Sequence, residues 1–364
     1  MENISLRKLV DNNGVLVIPD SVTCIKNRSL SLIPELKELV IGKNVRDIEA
    51  YAFSECYNLK KVTILSKEVV IYPNAFKDCI KLEEFDFSKV ITISHHSFEN
   101  CVCLKEVKLS SKLGILSETA FLGCKGIEYF DIPRQNKDFV SCDGVVYSKD
   151  LSKLLFYPCA KKDKVFNLSD EVNVISANAF SYSQYLEEVD LKNVSELGIS
   201  CFKGCSNLKK VKMSSKAKYI SQESFKDCLN LIDINVPDNI KVISGKAFMG
   251  CKSLKEINIG SNVNHIGDEA FKDCVQLEKL SLPKTIEKLG KNFIGGVKED
   301  LEILYGGTIE EWNNLVKDRN VCVSHQTQND FHYYGDDVDK YVPDVWEKEI
   351  VIPEGFKYKL TVKK

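Results

Sequence analysis

One frame of 22 or 23 residues recurs along most of this 364-residue chain, and no other feature restricts its fold as much. Around Phe53 the frame reads Ile48, Ala52-Phe53, Cys56, Leu59, Val62 and Ile64. Its phenylalanine slot is filled again at 76, 98 and 121, then at 180, 202, 225, 248 and 271, with a worn copy at Phe293. A copy upstream carries Leu30 in the phenylalanine slot and Ile33 in the cysteine slot. Eleven copies result, evenly spaced except for one step of 59 residues from Phe121 to Phe180. Self-similarity at this period marks a stacked repeat. The length therefore implies one elongated domain, not the two or three globular units that 364 residues would otherwise suggest.

Within each copy the apolar period changes. Phe53, Cys56 and Leu59 are three apart, as on one face of a helical turn, and the spacing then closes to the alternation of a strand at Val62 and Ile64. Another apolar pair lies upstream at Val45 and Ile48, matched by Val22/Ile25, Ile240/Ile243 and Val263/Ile266. A lone copy cannot bury enough apolar surface to offset the entropy of ordering it, whereas stacked copies cover each other. The pattern predicts an α/β repeat: a solenoid with a parallel sheet on its concave side and short helical turns on the convex side.

The frame Val-x-x-Ile-x-x-x-Ala-Phe-x-x-Cys-x-x-Leu-x-x-Val-x-Leu, covering about Ile18 to Trp312, resembles the BspA-like family of bacterial leucine-rich repeats. Asp143-Gly-Val-Val-Tyr147 followed by Leu154-Leu-Phe-Tyr-Pro158 is similar to a hairpin insertion common in that family. Tyr305-Gly-Gly-Thr308-Ile-Glu-Glu-Trp312 is similar to its closing motif. The resemblance implies a right-handed leucine-rich-repeat solenoid, at the bacterial surface or secreted, that binds host proteins or other cells or serves as a display scaffold.

The boundaries that follow are an N-terminal cap over 1–25, a solenoid over 26–312 with an inserted hairpin near 133–170, and a segment over 313–364 that is a C-terminal cap or a small β module. The irregular step exceeds a repeat by 59 − 23 = 36 residues, too many for a simple turn. Residues 145–147 and 154–157 read as the two strands of the hairpin, and residues 350–356 with 359–362 as a terminal hairpin.

Eight of the fourteen cysteines occupy one slot, at 56, 79, 101, 124, 205, 228, 251 and 274. Ile33, Ser183 and Gly296 interrupt that column, so it reads as small buried hydrophobes and not as a metal or redox array. Cys103 should face solvent. Cys142 and Cys159 flank the hairpin and could pair, with reduced thiols the preferred reading. His95 and His96 read as a solvated pair, and Cys322 with His325 and His332 lacks the second ligand pair of a structural zinc site. No nucleophile elbow or phosphate loop is present, so the residues support neither catalysis nor a cofactor.

What remains is the outward face of the strands. Residues just before and after each Val62-type position should point out. Acids cluster there from Glu84 to Asp190 around Tyr129: Glu84, Asp86, Glu106, Asp131, Glu188 and Asp190, with Lys108, Lys210 and Lys212 adjoining. The chain as a whole is nearly balanced, with 50 basic against 52 acidic residues, which gives no reason to expect a nucleic-acid partner. No apolar run reaches the ~18 residues of a membrane span, and residues 1–10 lack the apolar core of a signal peptide. The expectation is a monomeric, non-enzymatic protein-binding scaffold, with a spacer or display rod as the alternative.

Overall fold

The computed structural model describes residues 6–298, 300–317 and 359–362. The alternation after the leucine slot makes a lead strand in each coil. Glu38–Ile41 pairs in parallel with Lys61–Ile64, placing Leu39 opposite Val62 and Ile41 opposite Ile64. The Val45/Ile48 pair ends in a strand as well. Asp47–Ile48 lies between Cys24–Ile25 and Val69–Ile71 in a second parallel ladder. The coil is therefore a β-solenoid unit with two ladders, and the segment read as a convex apolar pair is part of a sheet.

The expected helical turns are absent from the phenylalanine segment, and helix makes up only 4% of the structure. The reason is backbone conformation. The residues two before and two after the phenylalanine take left-handed φ, as at Tyr51 (56°) and Glu55 (60°), Asn74 and Asp78 (both 60°), and Glu269 (56°) and Asp273 (59°). An α-helix cannot contain such residues, which cost about 1–2 kcal/mol each when they are not glycine. Hydrogen bonds between coils offset that cost. Tyr51, Phe53 and Glu55 donate their N–H groups to Pro73, Ala75 and Lys77 carbonyls of the next coil at 3.1, 2.8 and 2.8 Å. The intervening Ala52 and Ser54 N–H groups close turns within their own coil.

These turns hold the core in columns. The rings of Phe53, Phe76, Phe98 and Phe121 stack 5.2–5.5 Å apart, and those of Phe180, Phe202, Phe225, Phe248 and Phe271 stack 4.7–5.5 Å apart. Beside them each of the eight column thiols donates to the carbonyl of the phenylalanine-slot residue one coil back, at 2.9–3.3 Å. The cysteines are buried as expected, but they are hydrogen-bond donors too, which a small hydrophobe would not be.

The long step between Phe121 and Phe180 holds a coil of its own. Tyr157 stands 23 residues before Phe180 (180 − 157), stacks on its ring at 4.9 Å, and donates its N–H to Ala179 O as Phe53 does to Ala75 O. Val165–Asn167 is the lead strand of that coil, with Phe166 opposite Val189. Ahead of it, Phe139–Cys142, Val145–Ser148 and Lys153–Phe156 run antiparallel, and the last joins the second ladder beside Val174–Ile175. Val146, Leu155 and Phe156 enter the core of the preceding coils, whereas Val145, Tyr147, Leu154 and Tyr157 enter the core of the following ones. The inserted strands thus form a wall between two cores.

After the lead strand Glu302–Tyr305 the chain enters a helix, Ile309–Lys317. Thr308 and Glu311 make a reciprocal capping box, Glu311 N to Thr308 Oγ1 at 3.2 Å and Thr308 N to Glu311 Oε2 at 2.7 Å. The helix buries Trp312 against the Tyr305 ring, 5.4 Å away.

Two outcomes follow. Phe225→Ala should cost about 3–5 kcal/mol and raise amide exchange mainly in coils after Tyr157; equal loosening before Phe121 would contradict two separate cores. Burial pushes two of the column thiols up from 9.0, Cys56 to about 11 and Cys274 to about 12. A raised folded-state pKa gives stability that is present below the unfolded value and lost as pH rises through the folded one. Between pH 9 and 11, urea midpoints should therefore fall faster in the native chain than in Cys274→Ala, by up to about 1.4 kcal/mol per pH unit. Parallel pH profiles would refute this.

Candidate protein-binding face

Alternation decides which side chains the lead strands present. In Lys61–Ile64, Val62 and Ile64 are buried, so Lys61 and Thr63 face outward. The parallel register then decides which charges meet. Lys61 lies between Glu38 and Glu84, and Lys210 between Glu188 and Asp233. Lys61 Nζ is 2.7 Å from Glu84, Lys210 Nζ 3.1 Å from Asp233, Lys212 Nζ 2.9 Å from Asp190, and Lys108 Nζ 2.7 Å from Glu106 on its own strand. These contacts raise the Lys61, Lys108 and Lys210 ammonium pKa values and lower that of Glu106. Partial burial pulls Asp190 upward, but hydrogen bonds from Lys212 Nζ and the Lys192 N–H outweigh it and the carboxyl ends lowered. Each pair is largely exposed and contributes at most about 1 kcal/mol.

Two of the acids also have a local task. In the coils where only three residues separate the strand's third position from the next buried valine, that position is Asp86 or Asp190. Asp86 Oδ1 accepts from Ser88 N at 3.0 Å at the start of the 3-10 turn Phe87–Lys89. Asp190 Oδ1 accepts from Lys192 N at 3.0 Å. Both carboxylates cap a tightened turn.

The expected acidic cluster is spread over three ladders, the first ending at Glu84–Phe85 with Asp86 just after it. Glu106, Lys108, Tyr129 and Asp131 share a two-stranded ladder, Glu106–Lys108 with Tyr129–Asp131. Glu188, Asp190, Lys210 and Lys212 belong to another, which starts at Val165–Asn167. Between these last two lies the turn Asp143–Gly144, bonded to the strand Tyr129–Asp131 through Phe130 N to Gly144 O at 3.1 Å. A Cβ on Gly144 (φ 77°) would stand 2.7 Å from the Tyr129 ring, so only glycine lets the turn lie on that ring. Lys161 fastens the turn from the other side, 2.7 Å from Asp143 and 3.1 Å from Asp163. Val165 and Asn167 are exposed on this face beside Glu188 and Asp190, and sequence reasoning passed them over. The signal was present in the 23-residue offset of Phe166 from Val189.

The other candidates resolve separately. His95 and His96 are half-buried and partnered, not a solvated pair: His95 Nδ1 is 2.6 Å from Ser117 Oγ, and His96 Nδ1 is 3.0 Å from Glu99. Burial lowers the His95 pKa. Cys142 is exposed, Cys103 half-buried, and Cys159 donates to Ser181 O at 3.2 Å; all three are free thiols. Cys322, His325 and His332 lie outside the described residues, as does the segment 350–356. Among the described residues no group of three His, Cys, Asp or Glu side chains could hold a metal, and no helix is long and apolar enough to cross a membrane.

A family model, the BspA type leucine rich repeat region, matches residues 12–139 and 173–298 in six copies. No curated protein matches the sequence. Among solved structures, a leucine-rich repeat protein from Eubacterium ventriosum is 20% identical with a TM-score of 0.62, covering 79% of this chain and 91% of its own. A leucine rich cell surface protein from Faecalibacterium prausnitzii is 21% identical with a TM-score of 0.58, over 85% and 92%. The pneumococcal vaccine antigen PcpA is 20% identical with a TM-score of 0.64, over 83% and 86%. At these identities the likeness is one of fold.

The contact between Gly144 and Tyr129 is open to a double-mutant test. Gly144→Ala should cost about 2–4 kcal/mol through overpacking and a left-handed alanine. In a Tyr129→Ala background only the conformational part remains, about 1–2 kcal/mol. Equal costs in both backgrounds, read by urea unfolding, would show that the turn does not rest on the ring.

Proposed function

The chain belongs to the BspA-type leucine-rich repeat family, and on that premise we propose that it is a non-enzymatic, monomeric scaffold that binds another protein, at a bacterial surface or in secreted form. The binding face in this reading is that of the lead strands, taken as the concave side. Residues before 26 and after 312 cover the ends of the solenoid, and the wall of inserted strands separates two sets of coils.

The observation that supports a protein ligand is the charge left over after the lysines are used. Among the described residues Glu38, Asp131, Glu188 and Glu256 form no ion pair, and Asp131 ends the strand that begins with the exposed Tyr129 (43% exposed). An exposed aromatic supplies contact area at low entropic cost, and carboxylates without partners steer and orient a basic surface. A second reading, a spacer or display rod, draws on the lysine pairs: alternating charges across the strands blunt the face against pairing with other chains.

Binding of the full chain to a panel of host extracellular proteins and to whole bacterial cells separates the two. With any ligand found, Asp131→Lys and Glu188→Lys together should weaken binding about tenfold or more while the melting temperature stays within a few degrees. Unchanged affinity for every ligand, or no ligand at all, would favour the rod.

A further inference from the structure

The last coil of a solenoid leaves the edge of each ladder open, and an open edge pairs with any extended chain that reaches it. The two ladders end differently here. The second stops at Lys288–Leu289. The first continues past Glu302–Tyr305 to a further parallel strand, Lys359–Val362, with Glu302 opposite Lys359, Ile303 opposite Leu360, Leu304 opposite Thr361 and Tyr305 opposite Val362. After Tyr305 the chain turns through Gly306 and Gly307 into the helix Ile309–Lys317, and residues 318–358 lie between that helix and Lys359. Lys359–Val362 thus lies on the outer edge of the last lead strand, and adds to it by parallel backbone pairing as an extended peptide does.

We propose that the Glu302–Tyr305 edge is a strand-addition site for an extended parallel peptide, occupied by the chain's own residues 359–362 and open to a partner's segment when that strand leaves. The site selects by backbone pairing and by alternation. Ile303 and Tyr305 are buried and Glu302 and Leu304 half-buried. The register therefore asks for apolar residues opposite Ile303 and Tyr305 and a basic one opposite Glu302, the pattern Lys359-Leu-Thr-Val362 already has. A competing peptide with this pattern takes the same edge and displaces the resident strand without disturbing the coils.

The probe is a fluorescein-labelled peptide of residues 357–364, added to the full chain. In the regular coils the first and third residues of a lead strand donate to the preceding coil, as Glu188 N does to Lys164 O (2.9 Å) and Asp86 N to Val62 O (3.1 Å). Thr361→Pro removes the matching third-position donor from the resident strand and leaves the receiving edge intact. Peptide affinity should rise about tenfold or more in Thr361→Pro and stay at the native level in Thr361→Ala, while a peptide with proline at the 361 position binds neither. Equal affinity for the native and Thr361→Pro chains, including no binding to either, overturns the proposal. A second readout needs no variant. Unlabelled peptide at millimolar concentration should speed amide exchange at residues 359–362 of the native chain, and unchanged exchange there counts equally against it.

Discussion

One residue per coil joins that coil to its neighbours by three separate contacts, and the rest of the solenoid is arranged around it. Phe53 donates its N–H to Ala75 O, accepts the Cys79 thiol on its carbonyl, and stacks its ring on Phe76. Its carbonyl also receives Cys56 N within the coil, at 3.4 Å. The carbonyl is thus partnered within its own coil, and the thiol of the next coil adds a second bond that ties the two coils together. A thiol makes that bond from the end of a short side chain, and its weak donation suits a carbonyl that is already engaged. Ser183 shows the alternative: its hydroxyl turns to Phe180 O of its own coil at 2.7 Å, while Cys205 reaches the same oxygen from the next.

The rigidity of this joint explains where the repeat can vary. The left-handed residues on either side of the phenylalanine keep their places through most coils, and glycine takes the second of them at 123, 204 and 250. Length changes go elsewhere, into the link from the lead strand to the second strand, where Asp86 and Asp190 cap the shortened turns. Two residues that resemble ligand-binding acids in a column are therefore partly accounted for by the geometry of a loop.

How much of this was legible follows the same division. The period, the identity of the buried residues and the outward positions of the lead strands can be read from spacing, because alternation and burial are properties of the chain itself. The three-residue step Phe53, Cys56, Leu59 misleads, since successive tight turns and a helical turn bring residues i and i+3 to one side alike. Only φ distinguishes them, and Glu55 or Asp78 in a left-handed conformation carries no glycine to announce it. Val45/Ile48 is too short a pattern to declare a strand; its pairing with neighbouring coils makes it one. The coil at Tyr157 was hidden because its first half is a hairpin and its cysteine slot is lost, though Tyr157 and Phe166 keep the offset of 23.

The charges carry the last lesson about the face. A column of acids read along the sequence suggests a continuous negative strip, but in parallel register Lys61, Lys210 and Lys279 land between acids of adjacent coils, and the strip becomes a set of short pairs. Exposed pairs of this kind hold their partners with at most about 1 kcal/mol, so an incoming basic group exchanges with a resident lysine at little cost. The division by the Asp143–Gly144 turn matters more than the pairing. A ligand laid along the whole face would have to cross a turn fixed by Tyr129 on one side and Lys161 on the other. In the proposed reading the unit of recognition is accordingly half the face, and a partner that engages both halves must itself have two contact regions.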